Sequence, residues 1–102
     1  MGIIKESTLA AFAVSHPPAT TGLAVWREIM RQAQFRHFAD LRQCFRSADQ
    51  VRVASGNPVV VFNVGGNRYR LICAIHYDTG KVFLLRFLTH AEYSKDRWKS
   101  EL

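Results

Sequence analysis

The sequence is poor in cysteine, and its two cysteines are not arranged as a framework. Cys44 and Cys73 lie far apart, with no CxxC pattern and no paired histidines between them. A zinc framework or a disulfide scaffold needs closely spaced or more numerous cysteines, so neither is indicated. Both residues lie among apolar neighbours, which predicts reduced thiols in the core and fits a cytoplasmic protein.

Long apolar runs are also missing, and no secretory or transit leader is recognisable. We therefore expect no association with a membrane. Low-complexity tracts are absent, and 48% of the residues are hydrophobic, so the chain can bury a core. A length of 102 residues predicts one domain over residues 1–102.

Acidic residues are scarce relative to basic ones. The chain has 14 Lys and Arg against 8 Asp and Glu, and its net charge is +6. Residues 51–102 hold eight of these cations against four carboxylates, so this half carries +4. Such a balance favours a polyanionic partner, although a basic surface without such a partner is the plain alternative.

Hydrophobic periodicity divides the chain into a helical half and a strand-rich half. Leu23, Trp26, Met30 and Ala33 recur at helical spacing, and Asp40 is a candidate cap for a third short helix. Residues 47–58 have the composition of a loop. The other predicted elements are an edge strand at 2–5, a helix at 7–14, strands at 59–64, 67–77 and 81–89, and a helical turn within 91–102. The pattern predicts an α+β domain, with N-terminal helices on one face of a small antiparallel sheet.

Two turns set the predicted strand registers. Gly65-Gly66 fits a two-residue loop with positive φ at both positions, which pairs Val64 with Asn67. Asp78-Thr79-Gly80 fits a three-residue loop closed by a G1 bulge, which pairs Tyr77 with Lys81. A two-residue loop at the second turn would instead move Arg86 to the other face of the sheet.

These registers predict one mixed polar face, called here the arginine face, and one apolar face that packs on the helices, called here the helix face. The arginine face is predicted to carry Asn63, Arg68, Arg70, Arg86 and His90, with Val61, Ile72, Ala74 and Leu84 beside them. The helix face is predicted to carry Phe62, Val64, Tyr69, Leu71, Cys73, Ile75, Phe83, Leu85 and Phe87.

Arginines next to a histidine suit RNA cleavage, which needs no metal or cofactor. The 2′-hydroxyl attacks the adjacent phosphorus once a base removes its proton, and cations stabilise the phosphorane. Arginine matches phosphate oxygens, and His90 can transfer protons near neutrality. Tyr93 and Lys95 follow closely, as acid, charge stabiliser or stacking platform. The alternatives are solvated strand residues at Arg68 and Arg70, a strand-end cap at His90, and Glu92 as the base.

Several segments, taken together and in order, resemble the HigB family of bacterial toxins, within the RelE-like superfamily. They are Trp26-Arg27, Asp40-Leu41-Arg42, Phe45–Asp49, Phe62–Ile72, Arg86-Phe87 and Thr89–Tyr93. The FNxGGNxYRL and THAEY patterns are specific as a pair. Ser94 stands where relatives often have the Asp of an Asp-Lys pair, so the match at Lys95 is weaker.

The resemblance implies a RelE-like fold and a toxin that cuts mRNA on the translating ribosome. It also implies silencing by a cognate antitoxin, usually a HigA-like helix-turn-helix protein. Arg70 and Arg86 match phosphate-holding positions, and His90 and Tyr93 match a His-x-x-Tyr pair. The predicted catalytic residues are Arg70, Arg86, His90 and Tyr93, and the predicted RNA contacts are Asn63, Arg68, Lys81 and Lys95. The competing hypotheses are a non-catalytic basic module that binds RNA or the ribosome, and a protein-interaction domain.

Overall fold

Helices lie on both faces of a five-stranded sheet in the computed structural model, which describes all 102 residues. The elements are β1 (Gly2–Ile4), α1 (Ser7–Ser15), a 3₁₀ turn (Pro17–Ala19), α2 (Thr20–Gln32), α3 (Phe38–Cys44), β2 (Asp49–Arg52), β3 (Pro58–Val64), β4 (Tyr69–His76), β5 (Lys81–Thr89), α4 (His90–Ser94) and α5 (Arg97–Glu101). The strand order is β1-β5-β4-β3-β2. The α+β prediction is confirmed, with β1 at an edge, but β1 runs parallel to β5, so the sheet is mixed.

Helix α2 supplies the predicted apolar stripe to the core. Leu23, Trp26 and Met30 are all buried, as spacings of three and four require of one helix face. The ring of Trp26 packs edge to face on Phe62 of β3, with centroids 5.5 Å apart. The N-terminal helices therefore cover the helix face of the sheet, as predicted.

Two predictions about helix α3 were wrong. Its N-cap is His37, whose Nδ1 accepts a hydrogen bond from the Asp40 amide, whereas Asp40 lies inside the first turn. Cys44 ends the helix and is exposed, because the inward positions of this short helix are taken by Leu41 and the half-buried Phe45. Cys73 is fully buried as predicted, and this burial raises the pKa of its thiol.

The loop predicted over residues 47–58 contains strand β2, which pairs with β3 at the edge of the sheet. Its sequence, Asp-Gln-Val-Arg, is mostly polar because three of its four side chains are exposed. A strand of this kind has no apolar alternation to reveal it.

The arginine face carries a second, smaller apolar cluster. Val53, Val59, Val61, Ile72 and Trp98 are buried there, and Trp98 of α5 is only 2% exposed. The C-terminal helices α4 and α5 thus cover part of this face and confine its polar residues to the remainder. None of the helices is both long enough and apolar enough to cross a membrane.

Candidate active site

The first hairpin brings Asn63 opposite Arg70. Val64 pairs with Tyr69 rather than with Asn67, so the connection is the four residues 65–68 and the predicted two-residue loop was wrong. Both glycines do have positive φ, 64° at Gly65 and 68° at Gly66. The register differs from the predicted one by two residues, and a shift of two leaves each side chain on its predicted face.

The second hairpin contains a bulge, but not at the turn. His76 pairs with Lys81, and this register alone would set Arg86 opposite Leu71 on the helix face. The register shifts between Ile72 and Cys73, which leaves Leu85 as the extra residue on β5. Beyond that point Arg86 pairs with Ile72, so it lies on the arginine face as predicted.

The displaced bulge corrects the predicted faces of the residues before it. Leu84, predicted on the arginine face, packs against the helix-face core. Leu85, predicted on the helix face, packs against the Trp98 cluster. Phe83 pairs with Ala74 and changes face in the same way. A bulge near the turn would have switched the faces four residues earlier.

Arg70 is a buried cation without a carboxylate partner. It is 8% exposed, and no Asp or Glu lies within salt-bridge distance of it. Its Nη1 donates to the carbonyl oxygens of Asn67 (3.2 Å) and Tyr69 (3.1 Å), and its Nη2 donates to Asn67 Oδ1. Burying a charge is costly unless it is compensated, so this position favours an incoming anion.

His90 begins helix α4 beside Arg70. Its Nδ1 lies 3.3 Å from Arg70 Nη2, and its backbone amide donates to the carbonyl of Arg68 at 2.9 Å. A capping box fixes the start of α4: Thr89 Oγ1 accepts from the Glu92 amide, and a Glu92 carboxylate oxygen accepts from the Thr89 amide. This local signal places the exposed imidazole at the end of β5.

Tyr93 lies under the Arg70 guanidinium. The carbon of the guanidinium is 5.4 Å from the centroid of the Tyr93 ring, within cation–π range. On α5, the Trp98 ring stacks on Tyr93 with centroids 5.3 Å apart, and Trp98 Nε1 donates to the Tyr93 carbonyl. Arg70, His90 and Tyr93 therefore form one contiguous group.

Arg86 borders a cleft of about 300 Å³ on the same face. The cleft is lined by Arg86, Leu88, Glu92, Lys95, Arg97, Trp98 and Glu101. Arg86 Nε is 3.7 Å from a carboxylate oxygen of Glu101, and both side chains are substantially exposed. Exposed pairs of this kind contribute little, so Glu101 leaves Arg86 available to a phosphate. Leu88, the partner of Arg70 on β4, also lines this cleft, so the cleft adjoins the Arg70 group.

The predicted RNA contacts fall into two sets. Asn63 is exposed on the first hairpin, and Lys95 lines the cleft. Arg68, predicted on the arginine face, is exposed in the turn, and its guanidinium carbon lies 5.9 Å from the ring centroid of Tyr69 on the helix face. Lys81 lies apart from both sets. It begins β5, seven residues from Leu88, which is the partner of Arg70. That spacing is about 23 Å along a strand.

The family described as "HigB_toxin, RelE-like toxic component of a toxin-antitoxin system" matches residues 19–96, which is most of the chain. The chain belongs to the HigB toxin family. It is therefore the toxic component of a toxin–antitoxin system, and its partner is an antitoxin.

Curated relatives agree with this assignment. The "mRNA interferase toxin HigB" of Escherichia coli strain K12 is 27% identical over 93 residues, covering 91% of this chain and 88% of the relative. The "mRNA interferase HigB" of Escherichia coli O6:H1 is 26% identical over 95 residues, covering 93% and 90%. The HigB match includes Arg70, Arg86, His90 and Tyr93 and ends before Trp98.

Sequence reasoning missed Asn67 in this HigB toxin. The predicted register makes Asn67 the first residue of a strand, paired with Val64, yet both its backbone and side-chain oxygens accept hydrogen bonds from the Arg70 guanidinium. The available signal was the position of Asn67, which directly follows the two glycines of the turn and precedes Arg70 by three residues. That signal is weak, because asparagine is common in turns for conformational reasons alone.

Proposed function

We propose that this toxin is an endoribonuclease that cleaves mRNA on the translating ribosome by attack of the 2′-hydroxyl. The observation that carries the proposal is Arg70, a buried cation with no carboxylate partner, in contact with a histidine on an exposed surface. The printed names of its HigB relatives, mRNA interferases, support the same substrate.

In the proposed reaction, the bond from the 2′-oxygen to phosphorus forms as the bond from phosphorus to the 5′-oxygen breaks. One proton leaves the 2′-hydroxyl and one reaches the 5′-oxygen, giving a 2′,3′-cyclic phosphate and a 5′-hydroxyl. Arg70 and Arg86 stabilise the negative charge on the phosphorane, and protein side chains supply the charge and hydrogen bonds without a metal. The Arg86 cleft is lined by both basic and acidic side chains, and these contact the nucleotide next to the cleaved bond.

His90 and Tyr93 are the proposed partners of the reacting oxygens, because both adjoin Arg70. Glu92 is the alternative base. The hydrogen bond from the Thr89 amide to its carboxylate lowers the pKa of Glu92, so this group is ionised at neutral pH but is a weak proton acceptor.

The cellular setting follows from the substrate. Translated mRNA and ribosomes place the activity in the cytoplasm. The proposed antitoxin is a HigA-like helix-turn-helix protein, and co-purification of this toxin with the product of an adjacent small reading frame tests that assignment.

Arg70→Ala tests the proposed site. Its expression should no longer arrest growth of a bacterial host, since loss of one transition-state cation costs about 100- to 1000-fold in rate. Mapping of transcript 5′ ends after wild-type induction should show cuts inside translated frames, and these cuts should disappear in the variant.

The matched control is Arg42→Ala, which removes a cation from exposed α3 on the helix face. It should remain toxic. A correctly folded Arg70→Ala protein with full toxicity would refute the assignment. Binding of RNA without cleavage by the wild type would favour the non-catalytic module.

A further inference from the structure

The two ring nitrogens of His90 have different surroundings, because Nδ1 faces Arg70. A guanidinium carries only N–H donors and no acceptor, so at 3.3 Å from Arg70 Nη2 the Nδ1 atom must be the acceptor. We infer that Arg70 holds neutral His90 in the tautomer protonated at Nε2, and that His90 presents this N–H to the RNA as a hydrogen-bond donor. The inference rests on the proposed function and assigns His90 a role within it.

The guanidinium is fixed independently of His90. Four hydrogen bonds to groups of the chain use both Nη atoms, two from Nη1 and two from Nη2, and only one of the five N–H groups, on Nε, is left over. Asn67 accepts two of the four, one through its carbonyl and one through its side chain. Asn67 is therefore a positioning residue that acts through Arg70.

The backbone that carries the imidazole is fixed from the other side. The His90 amide donates to Arg68, and the His90 carbonyl accepts from Ser94 Oγ at 2.8 Å. The capping box at Thr89 holds the first turn of α4 in which His90 lies. Other bonds therefore hold both the guanidinium and the backbone that carries the imidazole, which keeps Nδ1 within reach of Arg70.

This tautomer changes the chemistry available to His90. The Nδ1 lone pair is occupied and Nε2 carries a proton, so neither nitrogen can take the proton of the 2′-hydroxyl. The doubly protonated ring is equally incompatible, because it has no lone pair for Arg70. An N–H directed at a non-bridging oxygen stabilises the phosphorane charge. His90 then gains and loses no proton, and the 2′-hydroxyl proton passes to the ionised carboxylate of Glu92, a weak acceptor in the same turn of α4.

NMR spectroscopy tests the tautomer without RNA. Long-range ¹H–¹⁵N correlation spectra of the ¹⁵N-labelled toxin at neutral pH distinguish protonated from unprotonated ring nitrogens. His90→Gln identifies the His90 signals among those of the four histidines. We expect an unprotonated Nδ1 and a protonated Nε2 in the wild type, and a tautomer mixture in Arg70→Met, which removes the donor. A protonated Nδ1 in the wild type would overturn the inference.

Amide substitutions test the role in cleavage. The glutamine amide reaches the position of Nε2, whereas the asparagine amide ends near Nδ1. His90→Gln should retain activity within about tenfold of the wild type, while His90→Asn should lose about 100- to 1000-fold, as for a lost transition-state donor. The reverse order would refute a donor at Nε2. Absence of cleavage by the wild type would refute the proposed function, and the NMR result would still decide the tautomer.

Discussion

Arg70 is buried by residues that lie outside its own strand. Strand β4 places its side chain on the arginine face. Alternation could not show that Arg70 is buried, because its cover comes from elsewhere: Asn67 in the preceding turn and Tyr93 after the next strand. The alternation of polar and apolar residues along a strand carries no information about contacts made by residues outside that strand.

Glu92 gives a pH-dependent prediction at the same scale. The Thr89 amide lowers its pKa below the ordinary 4.5, so its ionised form stabilises the fold above that value and the contribution is lost as the pH falls through the lowered pKa. Glu92→Gln should lower the Tm at pH 7 by no more than about 4–8 °C, because an exposed contact is worth under about 1 kcal/mol.

The measurement is thermal unfolding of both proteins from pH 7 downward. The two Tm curves should converge below pH 4.5, where the wild-type carboxylate becomes protonated. Asp49→Asn, which removes an exposed carboxylate on β2 that has no side-chain hydrogen bond, is the control for charge removal away from α4. A constant gap between wild type and Glu92→Gln at all pH values would contradict this account.

At the scale of elements, helix α2 and the three long strands were predictable because their periodicity is strong, whereas α1 was predicted from its composition. Strand β2 and the bulge at Leu85 were not predictable in the same way. Leu85 is one apolar residue among several in β5, and its position as the extra residue depends on pairing with β4. Arg86 was placed on the correct face because the assumed bulge, although at the wrong end of the strand, made the same one-residue correction.

Helix α2 and the first hairpin are packed closely enough to make a test. A Cβ at Gly22 would lie 2.9 Å from Val64 Cγ1 and 3.2 Å from the Gly65 nitrogen. Gly22→Ala should therefore destabilise the toxin by about 1–2 kcal/mol, because overpacking outweighs the gain of about 1 kcal/mol in helix propensity. Urea unfolding measures the change.

The control for this test is the same substitution in a Val64→Ala background. Removal of Cγ1 relieves the closest contact, so Gly22→Ala should cost less there than in the wild type. A more stable Gly22→Ala protein in the wild-type background would show that the helix and turn can move apart freely.

At the scale of the whole molecule, the net charge of +6 predicted a polyanionic partner, and the fold concentrates part of it on one face. Arg70, Arg86, Lys95 and Arg97 lie on or beside this face, as the first-hairpin contacts and the cleft show. The Arg68 guanidinium instead lies over the ring of Tyr69, on the helix face. Lys81, also predicted to contact RNA, lies seven residues along β5 from Leu88, the partner of Arg70, so it is outside this group.

RNA affinity should therefore fall with salt concentration, and the steepness of the fall should depend on which cations contact phosphate. With about four phosphate contacts, the slope of log K against log salt for a single-stranded RNA should be about −3, at about −0.7 per contact. Fluorescence anisotropy with an RNA bearing a 2′-deoxy nucleotide at the cleavage position measures binding without cleavage. Arg86→Gln should make the slope shallower by about 0.7.

Arg42→Gln is the matched control, because it makes the same charge change on exposed α3, which packs on the helix face. Its slope should equal that of the wild type. Equal slopes for wild type and Arg86→Gln would mean that Arg86 contacts no phosphate.

The apolar cluster on the arginine face has one more consequence. Trp26 and Trp98 are the two tryptophans of the chain, and each is almost fully buried in a different cluster on opposite sides of the sheet. Replacing either one with phenylalanine leaves a single indole whose fluorescence emission reports on one layer alone. The molecule therefore carries a built-in pair of optical probes that can separate loss of the layer around Tyr93 from loss of the main core.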